Sequence, residues 1–310
     1  MTGRIAVIGS NMVDLVTYTD RMPRKGETIE APEFSMGFGG KGSNQAVAAA
    51  RLGADVLMLT KVGDDMFGPN TRQNYINNGI DARYVDTVPG ASSGVAPIFV
   101  DSSAENCIFI IKGANGQLMP ADVDRAEADL KTCKLIILQL EIPLETVYHA
   151  IEFGARHGIE TLLNPAPAAP DLDLSKCLKA SFLVPNETEL ATLTQMPTEN
   201  TEQVVAAARV LIAKGIKTVV VTMGKKGAML VTQDRQDFIP GFDRIKAIDT
   251  TGAGDAYIGS FAHFYVASGD VLSSLKKAAL YAADAVTKPG TQKSYASAEE
   301  FAAFCQKYGV

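Results

Sequence analysis

Short apolar runs rich in β-branched residues alternate along this chain with segments of helical periodicity, and that alternation limits the architecture more than any other feature. The runs are Ile5–Ile8, Val56–Thr60, Leu135–Leu140, Thr161–Leu163, Phe182–Val184 and Thr218–Thr222. Runs this short and this apolar fit parallel strands covered on both faces. Between them, Ser43–Leu52, Leu144–His157, Thr201–Lys214, Gly254–Ala267 and Val271–Thr287 carry small or apolar residues at three- and four-residue spacing, the pattern of helices packed on a sheet. The expected fold is α/β, a doubly wound and mostly parallel sheet forming one domain over residues 1–310.

Two stretches stand apart from this alternation. Residues from about 15 to 36 and from 94 to 112 read as extended chain with turn signals at Pro23-Arg24-Lys25-Gly26 and Asp101-Ser102-Ser103. They are expected to form a small β-sheet lid over a ligand cleft.

Composition narrows the partners. With 35 acidic against 29 basic side chains the net charge is −6, and no basic block offers an attraction for nucleic acid or a membrane surface. A polyanionic ligand must therefore be held by local geometry. Cys107, Cys133, Cys177 and Cys305 are widely spaced and form no CxxC pair, which points to free thiols in a reducing, cytoplasmic setting rather than to zinc or disulfides. No apolar run approaches the roughly 18 residues of a membrane span. His149, His157 and His263 are not spaced as metal ligands.

In an open α/β sheet the ligand crevice lies beyond the carboxyl ends of the strands. Asn11, Asp14, Glu141, Asn164, Asn186 and Thr222 follow the proposed strands or close them, and are expected to share one edge. Singly, each also reads as an ordinary solvated turn residue.

Two glycine motifs carry chemistry. Gly37-Phe38-Gly39-Gly40-Lys41-Gly42 matches G-x-G-x-x-G, the dinucleotide fingerprint, but that fingerprint follows a buried parallel strand, and Glu30-Ala31-Pro32-Glu33-Phe34-Ser35 is a poor one. The glycines would let backbone approach a small polar ligand, with Lys41 and Asn44 bonding it; a tight turn before a close-packed alanine helix explains them equally. In the second motif, Asp249-Thr250-Thr251-Gly252-Ala253-Gly254-Asp255 enters a helix. Successive amides at a helix start form an anion-binding nest. Asp255 reads either as an N-cap or as a base that takes a proton from an attacking hydroxyl, with the amides of Gly252, Ala253 and Gly254 stabilising the transferred phosphoryl group. Nest and base together suggest a sugar or alcohol kinase without a P-loop.

Four segments in this order resemble the ribokinase family of carbohydrate kinases: Gly39-Gly40-Lys41-Gly42-Ser43-Asn44-Gln45-Ala46, Asn186-Glu187-Thr188-Glu189, Thr222-Met223-Gly224-Lys225-Lys226-Gly227, and Asp249 through Asp255. The likeness covers essentially the whole chain and implies a ribokinase-like fold with ATP as co-substrate and a pentose as acceptor. It implies Asp255 as base toward the 5-hydroxyl, and Asp14, Gly40, Lys41, Asn44 and Glu141 as sugar contacts. Asn186, Thr222, Gly224, Gly227 and Gly254 would meet ATP. Asn186 and Glu189 would organise Mg²⁺ through water. Asp249, Thr251, Ala285, Lys288, Gly290 and Ser294 occupy the positions of a K⁺ site built mainly from carbonyls. A homodimer joined through the lid is also implied.

One position departs from the family. Met12 stands where ribokinases usually carry an Asn, and Asn11 beside it points to the opposite face of extended chain. A thioether cannot donate to a sugar hydroxyl but packs well on a methylene, so 2-deoxy-D-ribose is expected to be accepted well, with D-ribose as the other candidate. Another sugar or nucleoside kinase of the same family, a dinucleotide-dependent oxidoreductase and a catalytically silent sugar-binding protein remain as alternatives.

Overall fold

The computed structural model describes residues 3–101 and 106–310. From the N-terminus, β1 (Arg4–Ile8) runs through a short turn into β2 (Met12–Tyr18), and β3 (Glu33–Gly39) leads into α1 (Lys41–Arg51). Then come β4 (Val56–Gly63), α2 (Phe67–Asn77), β5 (Asp81–Val88), β6 (Val95–Val100) and β7 (Asn106–Ile108). The short helices α3 (Pro120–Arg125) and α4 (Glu127–Leu130) precede β8 (Cys133–Leu138), α5 (Leu144–His157), β9 (Glu160–Leu163) and β10 (Phe182–Leu183). The last part holds α6 (Glu187–Thr194), α7 (Thr201–Ala213), β11 (Thr218–Thr222), β12 (Gly227–Thr232), β13 (Gln236–Pro240), α8 (Ala253–Ser268), α9 (Val271–Ala285) and α10 (Ala298–Tyr308).

Nine strands form the large sheet in the order β13-β12-β11-β10-β9-β8-β1-β4-β5. It is parallel from β11 to β5, and β12 is antiparallel to both its neighbours. All six strands expected from the apolar runs are present, and Leu144–His157 is a helix at the expected bounds. The strands β5, β12 and β13 and the helices α2, α6 and α10 lie outside the expected segments; β5, for instance, is interrupted by Asp81, Arg83 and Asp86.

Burial on both faces follows from the alternation of side chains along a strand. In β1, Ile5 and Val7 join one apolar cluster with Val47, Phe261 and Tyr281, whereas Ala6 and Ile8 join another with Ile151, Leu183 and Leu211. Helices α1, α8, α9 and α10 thus cover one face, and α5 and α7 the other. No helix among the described residues is long and apolar enough to cross a membrane.

A second, four-stranded sheet has the order β3-β2-β6-β7, with β2 antiparallel to β3 and parallel to β6. Its strands reach back to Met12 and forward to Gly39, beyond the extended stretches expected from turn signals. Ser102 and Ser103 of the expected turn lie outside the described residues. The chain order reverses at β1, which pairs with β4 on one side and β8 on the other. Such a switch point opens a crevice at the carboxyl end of the strands.

Candidate active site

At that switch point Ser10, just past β1, donates through Oγ to Glu141 Oε2, and the Lys41 N–H donates to the same oxygen at 2.9 Å. Helix α1 starts here, with the Ser43 N–H on Ser10 O at 2.8 Å. Gly40, at φ 86°, makes this approach possible, since a Cβ there would stand 2.7 Å from Asn11 Cα. The first glycine motif therefore brings backbone against backbone. Its leading residues Gly37-Phe38-Gly39 lie in β3, an antiparallel strand of the small sheet. They follow no buried parallel strand, which removes the dinucleotide reading.

Asp255 is the third residue of α8, and Gly252, in the left-handed conformation at φ 74°, occupies the cap position. The Asp255 side chain does not cap the helix. Its Oδ2 accepts from Asn44 Nδ2 and its Oδ1 from Gln45 Nε2, each at 2.9 Å. Gly259, one turn further on, explains how α1 comes so near: a Cβ there would stand 2.3 Å from Gln45 O. At the start of α8 the Ala253 N–H bonds Thr250 O at 3.2 Å, whereas the N–H groups of Gly252 and Gly254 have no hydrogen-bond partner among the described residues. The anion nest expected at three amides is thus open at Gly252 and Gly254.

Three carboxylates meet in this crevice. Asp14 on β2 lies close enough to Gly39 that a Cβ there would stand 2.3 Å from Asp14 Oδ1. Burial, followed by the negative charges of Glu141 and Asp255, pushes the Asp14 carboxyl up to about 7. Burial alone would lower the Lys41 ammonium, but Asp255, Glu141 and Glu189 outweigh it and hold it above its ordinary value. Lys41 is therefore held as a cation by these carboxylates.

Met12 is buried, with its Sδ 3.8 Å from Asn115 Nδ2. The Asn11 amide is spent within the protein, Nδ2 donating to Thr60 Oγ1 at 2.9 Å, to Lys61 O at 2.7 Å and to Asn115 Oδ1 at 3.2 Å, the same amide that touches Met12.

Next to the crevice is a cleft of about 510 Å³ whose walls include Asn186, Thr222, Gly224, Gly227 and Gly254. The structure thus gathers all five residues expected to meet ATP. The far wall is formed by Tyr257 of α8 and by Ala279, Ala282 and Ala283 of α9, which sequence reasoning missed. The only signal for them is smallness: the alanines of α9 leave room for a ligand. Gly227 has a structural reason as well, since a Cβ there would meet Ile239 O at 2.0 Å.

Asn186 and Glu189 form a reciprocal cap on α6. Asn186 Oδ1 accepts from the Glu189 N–H at 2.8 Å, and Glu189 Oε2 accepts from the Asn186 N–H at 2.9 Å. Glu189 is buried, and burial chiefly raises its carboxyl while Lys41 acts against that rise. At the other end of the nest, Asp249 accepts from the N–H groups of Thr251 and Gly290, both at 2.8 Å. Burial opposes its ionisation, but Thr251 and the Gly290 N–H hold its carboxyl below the usual range. Asp249, Thr251 and Gly290 are thereby joined. The Lys288 N–H bonds Ala285 O at 3.2 Å, and the Ser294 hydroxyl is spent on Thr291 O at 2.7 Å.

Two amides missing from the sequence-based set, buried Gln292 and half-buried Asn74, complete the site. Gln292 Nε2 donates to Asn44 Oδ1 at 3.0 Å and to Ser43 Oγ at 2.9 Å, and Asn74 Nδ2 donates to Gln292 Oε1 at 2.9 Å. Nothing in their residue types announces them; only contact with Asn44 does.

A doubly wound sheet with a carboxylate held at the mouth of an amide nest, between an acidic crevice and a glycine-walled cleft, defines a phosphoryl-transfer enzyme that lacks a P-loop. Comparison with known proteins makes this specific. The pfkB family of carbohydrate kinases matches residues 2–298, and the chain belongs to that family. It is 61% identical over 297 residues to a deoxyribokinase of Salmonella typhi, covering 96% of this chain and 97% of that protein. It is 40% identical over 296 residues to a mouse (Mus musculus) ribokinase, covering 94% and 91%. Among solved structures, Arabidopsis thaliana ribokinase complexed with ribose and ATP superposes with a TM-score of 0.92 at 29% identity, covering 98% of this chain and 99% of that one.

Proposed function

We propose that this carbohydrate kinase transfers the γ-phosphoryl group of ATP to the 5-hydroxyl of 2-deoxy-D-ribose, with D-ribose as the weaker substrate. The observation that carries the reading is Asp255, buried and fixed by two amides beside the open N–H groups of Gly252 and Gly254. Asp255 takes the hydroxyl proton as the sugar oxygen bonds the γ-phosphorus and the bond to the β,γ-bridging oxygen breaks, releasing ADP. The Gly252 and Gly254 amides receive charge on the transferred oxygens, the Ala253 N–H joining them if the turn opens. Asp14, Glu141, Lys41 and Asn44 hold the sugar hydroxyls, and Gly40 keeps α1 close enough for them to converge. ATP lies in the cleft between Thr222, Gly224, Gly227 and the alanines of α9.

Choice of sugar rests on Met12. Neither its thioether nor the Asn11 amide, whose hydrogens are spent on Thr60, Lys61 and Asn115, can donate to a 2-hydroxyl, and a buried hydroxyl left unpaired costs about 1–3 kcal/mol. Identity to deoxyribokinase well above that to ribokinases agrees with this. Coupled ADP-release assays on both sugars test the reading, with Met12→Asn expected to move kcat/KM toward ribose. No turnover of either pentose would overturn the function, and an unmoved ratio would overturn the role of Met12.

The donor sets suit two cations. Glu189 is a buried carboxylate bonded to the Asn186 amide, and oxygen donors of this kind suit a hard cation that keeps most of its waters. Asn186 and Glu189 would therefore hold Mg²⁺ through water. When bound, Mg²⁺ supplies charge neutralisation at the phosphates. The ionised Asp249, pinning Thr251 to Gly290, suits K⁺ held by the carbonyls of residues 249, 251, 285, 288, 290 and 294.

The small sheet acts as a lid over the sugar, and it leaves Phe34, Met36, Phe109 and Ile111 exposed. An apolar surface of this kind is covered by the lid of a second copy, giving a homodimer; light scattering tests it. The free thiols fit a reducing cytoplasm.

A further inference from the structure

Gln45 is fully buried, and both hydrogens of its amide are committed, to Asp255 Oδ1 at 2.9 Å and to Asn164 Oδ1 at 3.2 Å. Its Oε1 accepts from Gln139 Nε2 at 2.6 Å. The direction of these bonds is imposed from outside. Asn164 Nδ2 donates at 2.9 Å to the backbone carbonyl of Val184, just past β10, and a carbonyl can only accept. Asn164 must therefore turn its oxygen to Gln45, which must answer with its NH₂ and so present the second hydrogen to Asp255. Gln139 must then offer its own NH₂ to the Gln45 oxygen. Its remaining oxygen, Gln139 Oε1, has no partner among the described residues, so the polarity of the chain leaves one buried acceptor unsatisfied at its far end.

We propose that Gln45 is a positioning residue for the base: the Val184 carbonyl, acting through Asn164, locks Gln45 with its NH₂ toward Asp255, and this fixes which lone pairs of the carboxylate remain for the sugar hydroxyl. The inference rests on Asp255 being the base. The charge of Asp255 also acts on Asp14 from β2, Lys41 from α1, Glu189 from α6 and Tyr295, and Glu141 beyond β8 acts on Asp14 and Lys41 in turn. A donor fixed on the ionised form is therefore a counterweight to several carboxylates.

The experiment measures kcat and both KM values across pH 5.5–9 for the full-length enzyme, Gln45→Met, Gln45→Glu and Asp255→Asn, and for Gln45→Met combined with Asp255→Asn. Gln45→Met keeps the volume and removes the donor. It is expected to lower kcat about 10- to 100-fold with KM for ATP within twofold, and to move the acid limb of the kcat profile to higher pH. In the Asp255→Asn background the same change should cost less than twofold, because the group it acts through is gone. Gln45→Glu should recover part of the loss toward acid pH, where a protonated carboxyl donates as the amide did, and lose it again as pH rises. A Gln45→Met loss of the same size in both backgrounds, or an unshifted acid limb, would overturn the proposal. Should Gln45→Met not fold, a flat ratio of Gln45→Glu to wild type across the pH range would do so. Failure of the wild-type enzyme to phosphorylate a pentose would instead strike the functional reading.

Discussion

The proposed sugar side and the proposed nucleotide side of this site are built in opposite ways. On the sugar side, Glu141, Asp255, Asn44 and Gln45 are side chains held by hydrogen bonds to one another, to Ser10 and to backbone, with Asp14 set among their charges. On the nucleotide side, much of the wall is bare backbone or methyl groups, glycines at 224, 227 and 254 and alanines at 279, 282 and 283, set between apolar side chains such as Phe242, Ile245 and Tyr257. A small polyol needs several directed hydrogen bonds, whereas a phosphate chain and a flat ring need amides and room. The first demand concentrates charge and strains the apo protein; the second asks little of it. Substitutions should therefore separate the two sides by kind of effect as well as by size.

The sharpest break is Asp255→Asn. It keeps the shape but removes proton acceptance and turns its own NH₂ on one of the two donors, Asn44 or Gln45, so kcat should fall about 10²- to 10⁴-fold with KM for ATP nearly unchanged. Turnover within a few-fold of wild type would show that the base lies elsewhere.

Asp14→Asn tests the strain on the sugar side. Burial and its acidic neighbours put the Asp14 carboxyl near 7 in the folded chain, against an ordinary 3.8 when unfolded. Between those values the folded protein keeps a proton the unfolded chain has released. Stability therefore falls as pH rises through that window and stays low above it. The ligand-free variant should be the more stable protein at pH 8, by up to about 4 kcal/mol, with the gap narrowing toward pH 4. The same variant should bind sugar less well. Urea unfolding at several pH values decides it, since a gap that does not change with pH would mean that the charge of Asp14 is not its source.

Much of this asymmetry explains what was legible in the sequence. The proposed sugar contacts are conspicuous because Asp14, Glu141 and Asp255 are carboxylates placed early in β2, shortly after β8 and at a helix start. The sheet was legible because buried parallel strands such as Thr218–Thr222 must be nearly all apolar. β5 and α2 were hidden because they are only half buried, so polar residues interrupt their pattern. Gln45 and Gln292 were illegible for a different reason: a glutamine shows its role only through the partner that fixes its amide, and those partners lie 119 and 248 residues away in sequence, at Asn164 and Asn44 respectively. The second role of Asn186 and Glu189 as a reciprocal helix cap was readable from N-x-x-E at a helix start.

Ala282→Leu fills space on the nucleotide side without touching a hydrogen bond. Ala282 is partly exposed on the cleft wall, so folding should be nearly unaffected while KM for ATP rises about tenfold and KM for the sugar stays put. A parallel rise in both constants would merge the two sides rather than separate them.

Gly254→Ala should have the smallest effect on the fold. A Cβ at Gly254 would find no atom within 4 Å, and the residue sits in the first turn of α8 without the positive φ of Gly252. On conformational grounds alone the substitution should stabilise the ligand-free protein by about 0.4–1 kcal/mol, because alanine has less freedom to lose on folding. Yet the methyl group would point into the cleft beside the open N–H groups, where a phosphoryl group needs the surface bare. A variant slightly more stable than wild type, with ATP turnover reduced several-fold, would show that this glycine serves the ligand; a loss of stability would return it to the fold.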